Sequence, residues 1–459
     1  MKLMSMFSGL QMLSIICSVV KMKLVAMWLG TIGVGLFGIY QSVVDTTSTF
    51  TNMGILQSSV RDVAAAKTPG RLAVIVRQIR RWSCLSAILG ASVLAALSLP
   101  LGHWFFGSAQ GCWGFLLLSV SMFLNALCNG EQAILQGSDR LKALAKANLY
   151  GTIGGLLISI PLYYWCGYIS VPLSIIAYSL VLYIALMSKR VRVLAVTTQS
   201  TDRQRIPGFV KLGLYMASAA FITSLAHTIF VGILNNIATT SEVGLVQAGD
   251  TLVVRYIGLL FTAIGMEFYP RVAANNRYPH RLQVFVNHEI VLLMLCLIPL
   301  LCLFMLLRTP LIRILYTEEF ISIIPFVSWA AISCILKAVC WCMAFMIMAK
   351  GEGRVFIITE GLDALISVPL CLCAYHFFGL TGLGIAYILW YVIYGLITGY
   401  VYYHRYRMKL NKGTLRLTAI AAIVTIAYLF GMEYLPIWVM ALAIIPISIP
   451  PLAALRKLL

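Results

Sequence analysis

Windows of about 20 apolar residues recur along the whole length of this chain, with short polar breaks between them. An α-helix needs that length to cross the hydrocarbon of a bilayer, and no other feature restricts the fold as much. Composition agrees, since 61% of the 459 residues are apolar, 11% are charged, and the mean hydropathy is +0.93. Soluble domains are about 25% charged, so lipid is the solvent for most of this chain. Reading the windows gives fourteen spans, near 6–29, 35–58, 82–105, 112–134, 147–167, 169–188, 209–234, 243–269, 288–307, 321–348, 355–377, 380–402, 416–432 and 435–454. The sequence therefore predicts an all-α polytopic membrane protein with no soluble domain on either side. The first window has no Ala-x-Ala-like cleavage site and is long enough to span, so it is expected to be retained as the first helix.

The formal net charge is +19, and its placement shows what it is for. Of the 34 Lys and Arg, 28 lie at the N-terminus or in and beside the breaks after even-numbered spans. Two, Arg308 and Arg313, lie in breaks after odd-numbered spans. The remaining four, Lys21, Lys23, Arg255 and Lys337, are inside spans. This asymmetry assigns both termini to the cytoplasm by the positive-inside rule. It gives the excess charge anionic membrane lipids as neighbours and makes nucleic acid an unneeded partner. The twelve Cys include no CxxC pair, so they read as small packing residues and no metal site is expected.

The chain also repeats itself. LISIPL at 157–162 and IAY at 176–178 recur as LISVPL at 365–370 and IAY at 385–387, displaced by 208 and 209. VGL at 34–36 with VAA at 63–65 recurs as VGL at 243–245 with VAA at 272–274, both displaced by 209. Two ordered matches at one offset point to a duplicated unit of about six spans. An even number of spans keeps the copies in the same orientation, which predicts two parallel six-helix bundles with a substrate path between them. The lobes are expected at 1–206 and 207–403, with an additional two-helix segment at 404–459.

Polar residues inside spans are costly and mark function by default. On span 2, Gln41, Asp45, Ser48 and Asn52 are spaced by 4, 3 and 4 and share one helical face. Lys21 on span 1 and Asp45 on span 2 fall at similar depth, which suggests a charge pair lining a wet cavity. Span 8 carries Gln247, Asp250, Thr251, Arg255, Gly258 and Thr262 within an arc of roughly 140°. Span 10 adds Lys337, and span 11 adds Glu360, Asp363 and Ser367 on one face. Lys21, Gln41, Asp45, Asn52, Asp250, Arg255 and Lys337 are the candidate cavity residues. Asp45, Asp250, Glu360 and Asp363 are candidate carriers of coupling protons or sodium ions, with no other cofactor. The plainer alternative is that these charges pair and lock helices together.

KLVAMWLGTIGVGLFGIYQSVVDTTSTFTNMGILQSSVRDVAA at 23–65 resembles the start of the O-antigen translocase family. VGLVQAGDTL at 243–252 and FYPRVAA at 268–274 resemble that family's mid-chain segment. That family belongs to the multidrug/oligosaccharidyl-lipid/polysaccharide exporter superfamily, and the likeness covers the twelve repeated spans. It implies the MATE-like fold and a flippase, not an enzyme, of the bacterial inner membrane. The implied substrate is an undecaprenyl-diphosphate-linked oligosaccharide, an O-antigen or other surface polysaccharide unit, moved by alternating access. The polysaccharide assembly machinery is then an implied partner. Cationic residues in the cavity are typical of such flippases, a pattern that Lys21, Arg255 and Lys337 fit.

Two competitors stand beside this reading. A MATE-like drug or cation antiporter would want a cavity dominated by acids and aromatics, and here the charges are mixed. A membrane-embedded glycosyltransferase, polymerase or ligase would need a substantial outer loop with catalytic groups. Only 308–320, with Arg308, Arg313, Glu318 and Glu319, is a candidate.

Overall fold

The structure, a computed structural model, describes residues 2–52, 55–64, 66, 68–191, 208–275 and 278–458. Among the described residues every regular element is helical, and twelve helices are long and apolar enough to cross a membrane. By contact the chain divides into two compact units, Met1–Gly244 with Leu315–Thr317, and Leu245–Ile314 with Glu318–Leu459. The first contains α1 (Lys2–Asn52), α2 (Ile55–Ala64), α3 (Pro69–Phe106), α4 (Cys112–Gly137), α5 (Leu141–Trp165), α6 (Ser170–Ser188), α7 (Gly208–Ile237) and the start of α8 (Thr240–Asp250). The second contains the end of α8, a π-helical stretch Thr251–Ile257, α9 (Gly258–Ala274), most of α10 (Pro279–Leu315), α11 (Ile324–Ala349), α12 (Gly353–Tyr400), α13 (Lys412–Tyr434) and α14 (Ile437–Leu458). The repeat divides the sequence at 206/207, whereas contact keeps α7 with the first unit.

Two of the twelve helices are each a pair of spans. Gly30 in α1 has φ 63° and ψ −159°, and Gly379 in α12 has φ 59° and ψ −144°. Only a residue without Cβ enters that region cheaply, so each glycine ends one helix and starts the next. Side-chain contacts show that the chain doubles back there. Lys21 Nζ lies 4.9 Å from the centre of the Phe37 ring, although sixteen residues of straight helix would separate them by about 24 Å. Trp390 likewise reaches Asp363 across Gly379. Counting each hairpin as two spans gives the fourteen that hydropathy predicts.

The surface suits a bilayer. Leu157, Leu365, Leu396 and Ile423 are exposed on the flanks of their helices, where a soluble protein would place charge. Trp165, Phe377, Phe378, Tyr434 and Trp438 are exposed beside the breaks that follow spans 5, 11 and 13. Aromatic side chains at matching helix ends form the belt that anchors spans at a membrane–water interface.

In the first unit an apolar cluster includes Val63, Val76, Ile79, Ile134, Leu135, Leu144, Leu182 and Leu186, contributed by α2 to α6. Small residues let the helices approach. A Cβ on Gly151 would lie 3.0 Å from Leu182, and one on Gly155 would lie 3.0 Å from Tyr178, both on α6. Beside this cluster Glu131 is 5% exposed. It accepts from Arg80 Nε at 2.7 Å and Nη2 at 3.1 Å, and pairs with Arg190 Nε at 3.2 Å. Arg80 also donates to the Val191 carbonyl at 3.0 Å, so one carboxylate joins α3, α4 and the end of α6. Glu131→Ala is expected to lower stability by about 1.5–3 kcal/mol, because it removes the charge-assisted hydrogen bonds that hold two partly exposed arginines. Thermal unfolding of the purified variant checks this; an unchanged Tm would show that the clasp adds nothing.

The start of α8 crosses α1 closely. A Cβ on Gly35 would lie 2.0 Å from the Thr240 carbonyl oxygen, and one on Gly244 would lie 2.0 Å from the Thr31 carbonyl oxygen. The 209-residue shift maps Thr31 to Thr240 and Gly35 to Gly244, so the contact is reciprocal between repeat-equivalent residues. Thr31 Oγ1 and Ser241 Oγ, 2.6 Å apart, share a hydrogen bond at the same crossing.

Candidate functional site

The first unit's polar residues lie on the two halves of α1. The run from Asp45 to Thr51 is tolerated among apolar neighbours because its hydroxyls bond within the protein. Thr47, Thr49 and Thr51 donate to the carbonyls of Val43, Asp45 and Thr47 at 2.8–3.0 Å. Thr46 Oγ1 meets Ser224 Oγ at 2.9 Å and Thr228 Oγ1 at 2.7 Å on α7, and Thr228 donates to the Ser42 carbonyl at 2.9 Å. The hydroxyls thus serve as glue between α1 and α7.

Asp45 and Gln41 are turned elsewhere. Asp45 is exposed and accepts from Gln41 Nε2 at 2.8 Å. Half-buried Lys21 sits over the Phe37 ring, a cation–π contact across the hairpin. Lys21 thus meets Phe37, and Asp45 meets Gln41. Lys23, on another side of the helix, donates to the Tyr316 carbonyl. The Asn52 side chain lies outside the described residues.

In the second unit the chemistry gathers on the end of α8, the π-helical stretch, α9, α11 and α12. The half of α12 after Gly379 presents Tyr387, Trp390 and Tyr394 at spacings of 3 and 4, on one helical face. Each donates to a different carboxylate. Tyr387 Oη reaches Asp250 Oδ1 at 2.6 Å, Trp390 Nε1 reaches Asp363 Oδ1 at 2.6 Å, and Tyr394 Oη reaches Glu360 Oε1 at 2.7 Å. The tyrosines are 6% and 7% exposed, so these bonds lie away from lipid. The Lys337 ammonium, half-buried on α11, lies 5.6 Å from the centre of the Phe261 ring and 5.9 Å from that of Tyr391. Three acids and a lysine thus share one aromatic environment.

The π-helical stretch changes the register of span 8. A π turn holds nearly one residue more than an α turn, so the α-helical projection of span 8 changes from Thr251 onward. Gln247 and Thr251 are buried, whereas Arg255 and Thr262 are exposed. Arg255 ends this stretch, an irregularity that recurs at functional sites.

Sequence reading located the acids and missed their donors. The available signal was the aromatic run Tyr387, Trp390, Tyr391 and Tyr394 at helical spacing, which reads at first as ordinary span packing. Among the described residues no three His, Cys, Asp or Glu side chains form a group that could hold a metal ion. What the arrangement offers is carboxylates able to gain and lose a small cation, and intramembrane ammonium and guanidinium groups able to meet an anion.

The structure resembles that of "Lipid II flippase MurJ, inward closed conformation" with a TM-score of 0.75 and 13% identity, over 98% of this chain and 99% of that one. An inward-facing multidrug resistance MATE family transporter of the MOP superfamily gives 0.64 and 12%, over 89% and 95%. The Vibrio cholerae MATE transporter VcmN in the bent form gives 0.51 and 13%, over 93% and 98%. At such identities the likeness is one of fold, and it makes the all-helical fold that of MurJ and the MATE transporters. No curated protein sequence matches the chain. The sequence profile of the family described as polysaccharide biosynthesis protein matches residues 11–325, which is most of the chain, and the protein belongs to that family.

Proposed function

We propose that the protein is a flippase that carries an undecaprenyl-diphosphate-linked oligosaccharide, an O-antigen or other surface polysaccharide unit, between the leaflets of a bacterial inner membrane. Both termini are assigned to the cytoplasm, and the movement runs from the inner to the outer leaflet. The observation that carries this reading is the set of intramembrane cations, Lys21, Arg255 and Lys337, in a chain of a polysaccharide biosynthesis family. A lipid diphosphate cannot enter hydrocarbon unaided, because stripping its water is too costly. Cationic side chains with amides such as those of Gln41 and Asn52 replace that water, while the lipid tail stays in the bilayer. Asp45, Asp250, Glu360 and Asp363 are the proposed carriers of a coupling proton or sodium ion. Alternating access about a midplane site supplies the movement, and no bond of the substrate is made or broken.

Reconstitution tests this. Proteoliposomes holding the purified protein and a short undecaprenyl-diphosphate oligosaccharide should expose the sugar to an external glycosidase faster than protein-free vesicles. Equal rates would end the proposal. The MATE-like antiporter is the second reading, favoured by the acids held against aromatic donors on α12. It predicts efflux of a cationic dye from the same vesicles.

A further inference from the structure

The segment that joins α12 to α13 is a candidate interaction surface. Between Asp363 and Glu433 the sequence contains no acid, and this stretch carries Arg405, Arg407, Lys409, Lys412 and Arg416, all exposed. Arg405 is engaged, with its Nε 2.6 Å from Glu352 Oε2. The other four are not matched by any acid in this stretch.

The segment is folded, unlike a loose basic tail. Tyr402 and Met408 are 2% and 1% exposed and pin it inward, and the Met408 amide donates to the Tyr402 carbonyl at 3.1 Å. Asn287 on α10 brackets the next residues, donating to the Lys409 carbonyl at 3.4 Å and accepting from the Asn411 amide at 2.7 Å. Between these anchors Arg407 adopts φ 53°, a left-handed conformation that costs a non-glycine residue roughly 1–2 kcal/mol. Met408 turns inward there, while Arg407 and Lys409 on either side of it stay exposed. Beside them His404 packs on Tyr400 and Tyr403, with ring centres 4.5 and 5.0 Å apart, and the Lys409 ammonium lies 5.6 Å from the Tyr403 ring. Tyr400 and Tyr403 are themselves exposed. Exposed aromatic rings beside fixed cations, at the end of a membrane span, match the layer where headgroups meet acyl chains.

We infer that residues 400–416 form a docking surface for the phosphates of anionic phospholipids in the adjoining leaflet. Arg407, Lys409 and Lys412 meet the phosphates, and Tyr400 and Tyr403 lie against the glycerol and upper acyl region. Because the backbone is already ordered by Asn287, Tyr402 and Met408, little further ordering opposes binding. The surface is separate from the intramembrane cations of the transport reading and does not depend on it.

The test uses the full chain in phosphatidylcholine nanodiscs containing increasing phosphatidylglycerol, with thermal unfolding and lipid retention in native mass spectrometry as readouts. A cation near an anionic surface contributes roughly fivefold in lipid affinity. The triple variant Arg407→Gln, Lys409→Gln, Lys412→Gln should therefore need at least roughly tenfold more phosphatidylglycerol for half-maximal stabilisation. It should also lose retained phosphatidylglycerol. A control removing the same charge elsewhere, Arg140→Gln, Lys142→Gln, Lys146→Gln, should stay close to wild type. Equal loss in both triples would reduce the effect to net charge and overturn the site. Equal stabilisation by inorganic phosphate in pure phosphatidylcholine would overturn the membrane as its source.

Discussion

Surface polysaccharide falls by roughly 10- to 150-fold in cells carrying Lys21→Ala or Arg255→Ala, at unchanged protein level, if these cations hold the diphosphate. That range is what losing one charge-assisted hydrogen bond of about 1.5–3 kcal/mol produces. Arg255→Lys should retain part of the activity, since a diphosphate needs charge first and fork geometry second. The structure sharpens the Lys21 case. Its ammonium lies on the Phe37 ring, and an aromatic ring loses little when a cation leaves it. A structural role for Arg255 predicts another outcome. If it mainly balances Asp250, then Arg255→Ala with Asp250→Asn should restore export, because removing both charges strands neither. Full export from the Lys21→Ala, Arg255→Ala double variant would end the diphosphate-binding reading.

A second large effect is expected at the crossing of α1 and α8. Gly35→Ala or Gly244→Ala should abolish recovery of a monodisperse protein after detergent extraction. In either variant a methyl would sit 2.0 Å from a backbone carbonyl oxygen, and no side-chain rotation relieves a clash between Cβ and backbone. The helices would have to separate, taking the Thr31–Ser241 hydrogen bond with them. Gly399 in α12, where an added Cβ meets nothing within 4 Å, provides the control. Gly399→Ala should be recovered like wild type. Wild-type recovery and Tm for Gly35→Ala would show that this crossing is looser than the geometry implies.

The spans were legible because lipid makes a one-dimensional demand, and a window of apolar residues meets it regardless of what packs against it. The hairpins at Gly30 and Gly379 were legible for the same reason, as breaks too short to be loops. Intramembrane charges stood out by being costly. Their partners did not. Tyr387 and Asp250 are 137 positions apart, and Arg80 and Glu131 are 51 apart, so only the fold brings them together. Glu131 also escaped notice because nothing local announces the two arginines that meet it from α3 and from beyond the end of α6. The π-helical stretch at 251–257 was invisible for a different reason. Projecting residues at 100° steps assumes the α-helix it is meant to test, and the π turn changes that step after Thr251.

The hairpin at Gly30 also bears on how the chain enters the membrane during synthesis. A reversal made by one residue, flanked by Leu29 and Thr31, has no charged loop to drag through hydrocarbon. In the proposed orientation the first two spans can therefore be released into lipid together as one closed wedge, with the translocated tip contributing almost no polar freight. The same holds at Gly379, between Phe378 and Leu380. With both termini in the cytoplasm, as proposed, the 308–320 connection differs, because Arg308, Arg313, Glu318 and Glu319 must be moved across with it. Insertion of this protein is thus cheapest at its two glycine tips and most demanding at that one charged passage.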